Sequence, residues 1–265
     1  MRGTKSFAKT LAVVTIISLT AATGLGVTTD RLDPEPMNED ARYAINADQV
    51  HDRFGYTGEG YKAAIWGFGL VDDHTDLKDD LQLMDSGSVS EHTTHIAGTI
   101  SGNGALDSDL KGVAPDSGLL SYLLEYSSTD KLIRETAESQ EKGAVVSHNS
   151  WGWTSFSTHG NYDSFSKAYD KIVRGTASGM EQGMTVVFPA ANHRNDVSYD
   201  YNTIPGTGAT AKNSITVGAV DGNLRVTSFS SWGPTDDGRI KPDLMAYGSY
   251  VESTMPGNDY GYKRG

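Results

Sequence analysis

Cysteine is absent from the 265-residue chain, which excludes disulfide bonds, a thiol nucleophile and a lipoprotein anchor together. The fold must be held by its core, with bound ions as the other available support. Positive charge is scarce as well: 22 Lys and Arg stand against 34 Asp and Glu. The resulting net charge of −12 offers no attraction to nucleic acid or an anionic membrane. Long apolar runs are also missing. The most apolar stretch, residues 11–19, is broken by Thr15 and Ser18 and is too short to span a bilayer. Repeats, low-complexity tracts and an interdomain linker are not found.

Around that short stretch, Arg2, Lys5 and Lys9 precede it and the small residues Ala21, Ala22 and Thr23 follow. This is the layout of a secretory signal over residues 1–25, rather than of a buried core helix. The expected location is extracellular or periplasmic, with no membrane contact after signal cleavage. Residues 26–57 read as an acidic lead-in, polar and exposed over residues 28–48, with Pro34 and Pro36.

From Tyr61 onward apolar runs alternate with helical periodicity. Residues 62–66, 119–124, 144–146, 185–188 and 214–220 are strand candidates. Residues 130–142 and 162–182 carry helical spacing, and residues 92–100 open a helix capped by the polar residues before them. Strands apolar throughout and separated by helices predict an α/β fold: a three-layer α/β/α domain with a mainly parallel central sheet. In such sheets the ligand crevice lies at the carboxyl ends of the strands. One domain over residues 58–265 is expected, acting as a monomer.

His92 and His95 sit three apart at the expected helix start. A neutral imidazole is favoured there, because the positive helix end disfavours imidazolium. A zinc site would need a third ligand and a carboxylate base, yet no His-Glu-x-x-His pattern exists and the other histidines are scattered. Two core or surface histidines are the plain alternative.

Several segments stand out in order: residues 61–77 (a first strand and its turn), His92-Thr-Thr-His-Ile-Ala-Gly-Thr-Ile, Lys111-Gly-Val-Ala-Pro and Ser147-His-Asn-Ser-Trp-Gly. Further along come Val186-Val-Phe-Pro-Ala-Ala-Asn, Ile215-Thr-Val-Gly-Ala-Val and Ser228-Phe-Ser-Ser-Trp-Gly-Pro-Thr-Asp-Asp-Gly-Arg-Ile-Lys-Pro-Asp. Together they resemble the subtilisin-like serine proteases, and the resemblance runs in order from about Gly58 to Gly265. It implies a secreted endopeptidase that hydrolyses peptide bonds through an acyl-enzyme, with protein or peptide substrates and no required cofactor. His92 matches the general base. Asn192 matches the side-chain oxyanion donor, whose loss costs subtilisin about 10²–10³ in turnover; a turn residue capping a strand end is its plain alternative. Ser150, Trp151 and Gly152 match the segment that pairs with an extended substrate by strand addition. Trp151 and Trp153 fit an apolar-tolerant cleft, or packing. Asp76 matches a position that ligates structural calcium in some members, and a solvated acidic turn of Asp72, Asp73, Asp76, Asp79 and Asp80 explains the same residues.

Three features depart from the family pattern. Gly67 occupies the place of the triad aspartate, which orients the imidazole; losing that carboxylate costs subtilisin about 3 × 10⁴ in turnover. Asp72 and Asp73 lie beyond the strand, and an aspartate restored at position 67 is expected to raise the rate. The chain ends at Gly265, where the family motif continues Gly-Thr-Ser-Met-Ala. The nucleophilic serine is thus expected two residues further on, and the helix after it, absent here, should leave apolar surface on the sheet bare. The lead-in is too short for the folding-assisting propeptide common in the family. Thr93 and Ala191 stand where the family has Gly or Ala and Gly. The expected function is a serine endopeptidase fragment, inactive as it stands. The alternative is a catalytically inactive homologue that binds peptides or serves as scaffold.

Overall fold

A computed structural model describes residues 38–77, 81–125, 128–153, 155–195 and 201–265. The expected signal, the first part of the lead-in, and Asp79 and Asp80 lie outside the described residues. Five of the strands are those the apolar runs predict: β1 (Lys62–Gly67), β3 (Gly118–Leu123), β4 (Ala144–Asn149), β5 (Thr185–Pro189) and β6 (Ile215–Val220). With β2 (Leu81–Leu83) and β7 (Leu244–Tyr247) they form a seven-stranded sheet in the order β2-β3-β1-β4-β5-β6-β7. Every pairing in it is parallel.

Helices cover both faces. α3 (Glu91–Ser101) packs on one, over a cluster of Ala63, Ile65, Val71, Leu77, Ala97 and Leu119. α4 (Thr129–Glu141) and α5 (Ser164–Val173) pack on the other, over a larger cluster with Trp66, Tyr122, Tyr169 and Phe188. The three-layer α/β/α architecture follows directly from these two apolar faces. α5 stops short of the expected residue 182, because Gly175 turns left-handed at φ 64°.

The chain leaves β1 toward β3 on one side and returns to β4 on the other. The switch point between β1 and β4 therefore opens a crevice at their carboxyl ends. The β4 end is rigidly built. Asn149 is fully buried; its Oδ1 accepts from Tyr169 Oη at 2.7 Å and Trp151 Nε1 at 3.3 Å, and its Nδ2 donates to Ser147 Oγ at 2.8 Å.

Beyond the sheet lies an antiparallel hairpin, β8 (Val251–Met255) with β9 (Asp259–Lys263). His95 of α3 places Nε2 at 2.9 Å from the Val251 carbonyl and 3.1 Å from the Gly261 carbonyl. Two acceptors fix the proton on Nε2. Gly98 lets α3 come close, since a Cβ there would collide with the Thr254 and Ser253 hydroxyls. At the hairpin tip, Asp72 accepts from the Gly257 amide at 2.7 Å and Asp76 from Tyr260 Oη at 2.7 Å.

Residues 38–54, expected within an exposed lead-in, instead form α1 (Asn38–Ala44) and α2 (Ala47–Phe54). Asn38, Arg42 and Ala47 are buried. Asn38 Nδ2 donates to the Leu110 carbonyl at 3.2 Å and Ser253 Oγ at 3.4 Å, and Arg42 donates to the Asp109 and Lys111 carbonyls. Polar composition misled here because these side chains satisfy buried backbone carbonyls rather than water.

Replacing Asn149 by alanine leaves a buried tyrosine hydroxyl and an indole N–H without their acceptor. The expected loss is about 2–4 kcal/mol, lowering Tm by roughly 5–10 °C in a calorimetric melt. A loss below about 1 kcal/mol would show that this amide does not hold the β4 end.

Candidate active site

α3 begins where Ser90 Oγ accepts the Thr93 amide at 3.3 Å, an N-cap that fixes the first helical turn. His92 stands in that turn, exposed to the crevice, with Nε2 3.1 Å from Ser150 Oγ at the end of β4. Desolvation lowers the His92 pKa; a hydrogen bond with the Ser150 backbone opposes this and the Lys263 ammonium reinforces it. A neutral imidazole with Nε2 turned to a hydroxyl is a competent proton acceptor. Lys263 itself pairs with Glu91 at 3.4 Å.

Beneath His92, the carboxyl end of β1 meets Thr93. A Cβ at Gly67 would lie 2.8 Å from Thr93 Cγ2 and against its Oγ1. The threonine thus fills the volume that a side chain at position 67 would need. Its buried Oγ1 finds no hydrogen-bond partner among the described residues, a cost of about 1–3 kcal/mol. The restored aspartate considered from sequence therefore has room only if Thr93 is also reduced.

Asn192 follows β5, the strand beside β4, and is exposed. Ser231 pins both of its neighbours: its amide donates to the Ala191 carbonyl at 2.8 Å and its Oγ accepts from the His193 amide at 2.9 Å. Ala191 turns left-handed at φ 75° to make this corner. The Gly265 backbone comes to the same place; a Cβ there would stand 3.4 Å from Asn192 Nδ2.

His92, Gly67, Ser150 and Asn192 are thus gathered at one end of the sheet. The Trp151 side chain is not in the crevice: it is buried among Trp153, Phe165 and Phe188, with ring centroids 5.8–5.9 Å apart. Gly152 fits tightly, as a Cβ would approach Pro205 to 2.9 Å. His95 is a structural residue that clamps the hairpin.

In the acidic turn after β1, Asp76 already has partners for its carboxylate. Asp76 Oδ1 accepts from the Leu106 amide at 3.0 Å and Oδ2 from Tyr260 Oη, so both carboxylate oxygens face donors. Among the described residues no group of three or more His, Cys, Asp or Glu could hold a metal. Sequence reasoning missed two pairings, Ser150 with His92 and Gly67 with Thr93. The second had a signal: two departures from one family pattern, at residues that flank one crevice.

The chain is similar to known proteins. The subtilase family model matches residues 69–265. Subtilisin DY of Bacillus licheniformis is 33% identical over 228 residues, covering 82% of this chain and 74% of its own. The minor extracellular protease Vpr of Bacillus subtilis is 32% identical over 149 residues, 48% of this chain and 18% of that protein. The chain spans 55% of subtilisin E, also from Bacillus subtilis, at 28% identity over 83% of this chain. Among solved structures, the CspB protease of Clostridium perfringens superposes with a TM-score of 0.69 at 16% identity, covering 84% of each chain. The prenylagaramide maturation protease PagA gives 0.62 at 21% identity, with coverage of 83% and 73%.

Two stability measurements follow. Ala191→Gly relieves a left-handed alanine, and a gain of about 0.5–1 kcal/mol is expected, near 2 °C in Tm; a lower Tm would contradict the assigned corner. Burial holds the His95 pKa at about 4, below the 6.5 usual for histidine. The unfolded chain thus binds more protons between those values, and stability falls as pH drops from 6.5 toward 4, by on the order of 3 kcal/mol. His148 in β4, also held at about 4 by desolvation, adds the same sign. A Tm unchanged between pH 7 and pH 4.5 would overturn this linkage.

Proposed function

The chain belongs to the subtilase family, and on that premise we propose that it forms the greater part of the catalytic domain of a secreted serine endopeptidase. One observation carries the reading: His92 and Asn192, matched to the family's base and oxyanion donor, both stand at the carboxyl end of the parallel sheet, His92 against Ser150 at the end of β4 and Asn192 just after the neighbouring β5.

In the proposed reaction the nucleophile is a serine two residues beyond Gly265, as in the family motif. Its hydroxyl attacks the scissile carbonyl, His92 takes the proton, and the same imidazole later gives it to the leaving amine. Asn192 Nδ2, with a backbone amide, receives the oxyanion. The backbone of residues 150–152 pairs with an extended protein substrate. The lowered pKa of His92 keeps it neutral, as a base must be, and no step uses a cofactor. Export is supported by the pattern of residues 1–25 and by the extracellular relative Vpr; the enzyme acts as a monomer.

A second reading rests on Gly67 and Thr93. With no carboxylate to orient the imidazole and the space filled, the protein would hold peptides without cutting them.

The two readings separate in a protein that continues Thr-Ser after Gly265. Casein hydrolysis sensitive to a serine-directed phosphonate is expected at a low rate. Gly67→Asp alone leaves it low, since Thr93 blocks the site; Gly67→Asp with Thr93→Gly raises kcat/KM about 10³-fold or more. Peptide binding without hydrolysis by either form would favour the second reading.

A further inference from the structure

Ser150 already meets the geometric condition for an activated nucleophile. Its Oγ lies 3.1 Å from His92 Nε2, within the reach at which an imidazole takes a hydroxyl proton. The serine follows Asn149, whose buried amide is locked by Tyr169, Trp151 and Ser147, so the hydroxyl is held by a rigid strand end. His92 is exposed and Ser150 partly so, which leaves an approach for a reagent.

We propose that Ser150 is itself a nucleophile, accepting acyl groups from activated esters with His92 as its base. This activity resides in the residues of the 265-residue chain and goes beyond the endopeptidase reading, since it needs no serine after Gly265. In the first step Ser150 Oγ bonds to the ester carbonyl carbon, its proton passes to His92 Nε2, and the carbon–oxygen bond to the leaving phenolate breaks with its electron pair. In the second, His92 has released its first proton to solvent, where the phenolate takes it up, and accepts a proton from the water that adds to the acyl carbon; the carbon–Oγ bond breaks with its electron pair and Oγ takes that proton from His92. The sum is ester and water giving carboxylic acid and phenol. A phenolate departs unprotonated, so acylation asks the imidazole only to accept a proton. A peptide amine needs a proton delivered by a well-oriented imidazolium, which Gly67 does not support.

The test labels the 265-residue chain with a biotinylated fluorophosphonate, in which Oγ displaces fluoride from phosphorus, followed by peptide mapping. One adduct on Ser150 is expected, absent in Ser150→Ala and formed at least 100-fold more slowly in His92→Ala. A burst of nitrophenolate from p-nitrophenyl acetate should show the same dependence. Because the chain has no other thiol, Ser150→Cys gives an independent readout: its alkylation by iodoacetamide should slow at least 10-fold when His92→Ala is added. Failure to form an adduct, an adduct that survives Ser150→Ala, or alkylation indifferent to His92 overturns the proposal. In a longer protein, labelling only on a serine after Gly265 also overturns it while leaving the endopeptidase reading intact.

Discussion

Helix α3 works in two directions, and the rest of the site depends on it. One turn offers His92 to the crevice; the next clamps the β8–β9 hairpin through the His95 Nε2–H shared by the Val251 and Gly261 carbonyls. Residues three apart on a helix are neighbours on one side of it, so the two imidazoles cannot move independently. The hairpin in turn delivers Lys263 beside Glu91 and brings the Gly265 backbone to Asn192. Burial is what makes the clamp effective, because the same desolvation that strengthens its hydrogen bonds keeps the imidazole neutral.

Gly67 and Thr93 carry the chemical question. Each departs from the family pattern, and together they form one packed contact at the β1 end. A carboxylate at position 67 has a place only if Thr93 is reduced; as it stands the threonine holds that volume, and its hydroxyl is left without a partner among the described residues. The pair is closely packed, and position 67 offers the imidazole no carboxylate. Shape and proton transfer are thereby uncoupled at this spot, and the serine that His92 does reach is Ser150.

Much of the fold was legible in the sequence. β1 and β3–β6 are short, mostly apolar and bounded by turn residues, which suits strands buried on both faces. α3 and α4 followed from periodicity and a polar cap. β7, β8 and β9 were not legible: Val251–Met255 and Asp259–Lys263 mix polar, small and aromatic residues. Their register depends on distant partners, His95 and Tyr260 with Asp76. α1 and α2 were hidden for a similar reason, as Asn38 and Arg42 bury polar side chains against carbonyls about 70 residues away. At the site, motif resemblance singled out His92 and Asn192. It did not anticipate that the Ser150 side chain would face His92, or that Trp151 would be core, because both depend on how β4 ends.

The central claim is that α3 and the hairpin form one unit seated at the switch point, and native-state hydrogen exchange tests it most directly. The account predicts that the cross-strand amides of Val251–Met255 and Asp259–Lys263 are protected to the same extent as those of α3 and open together with them. Hairpin amides that exchange at near-unprotected rates while α3 stays closed would contradict it, and would leave Asn192 without the backbone that meets it.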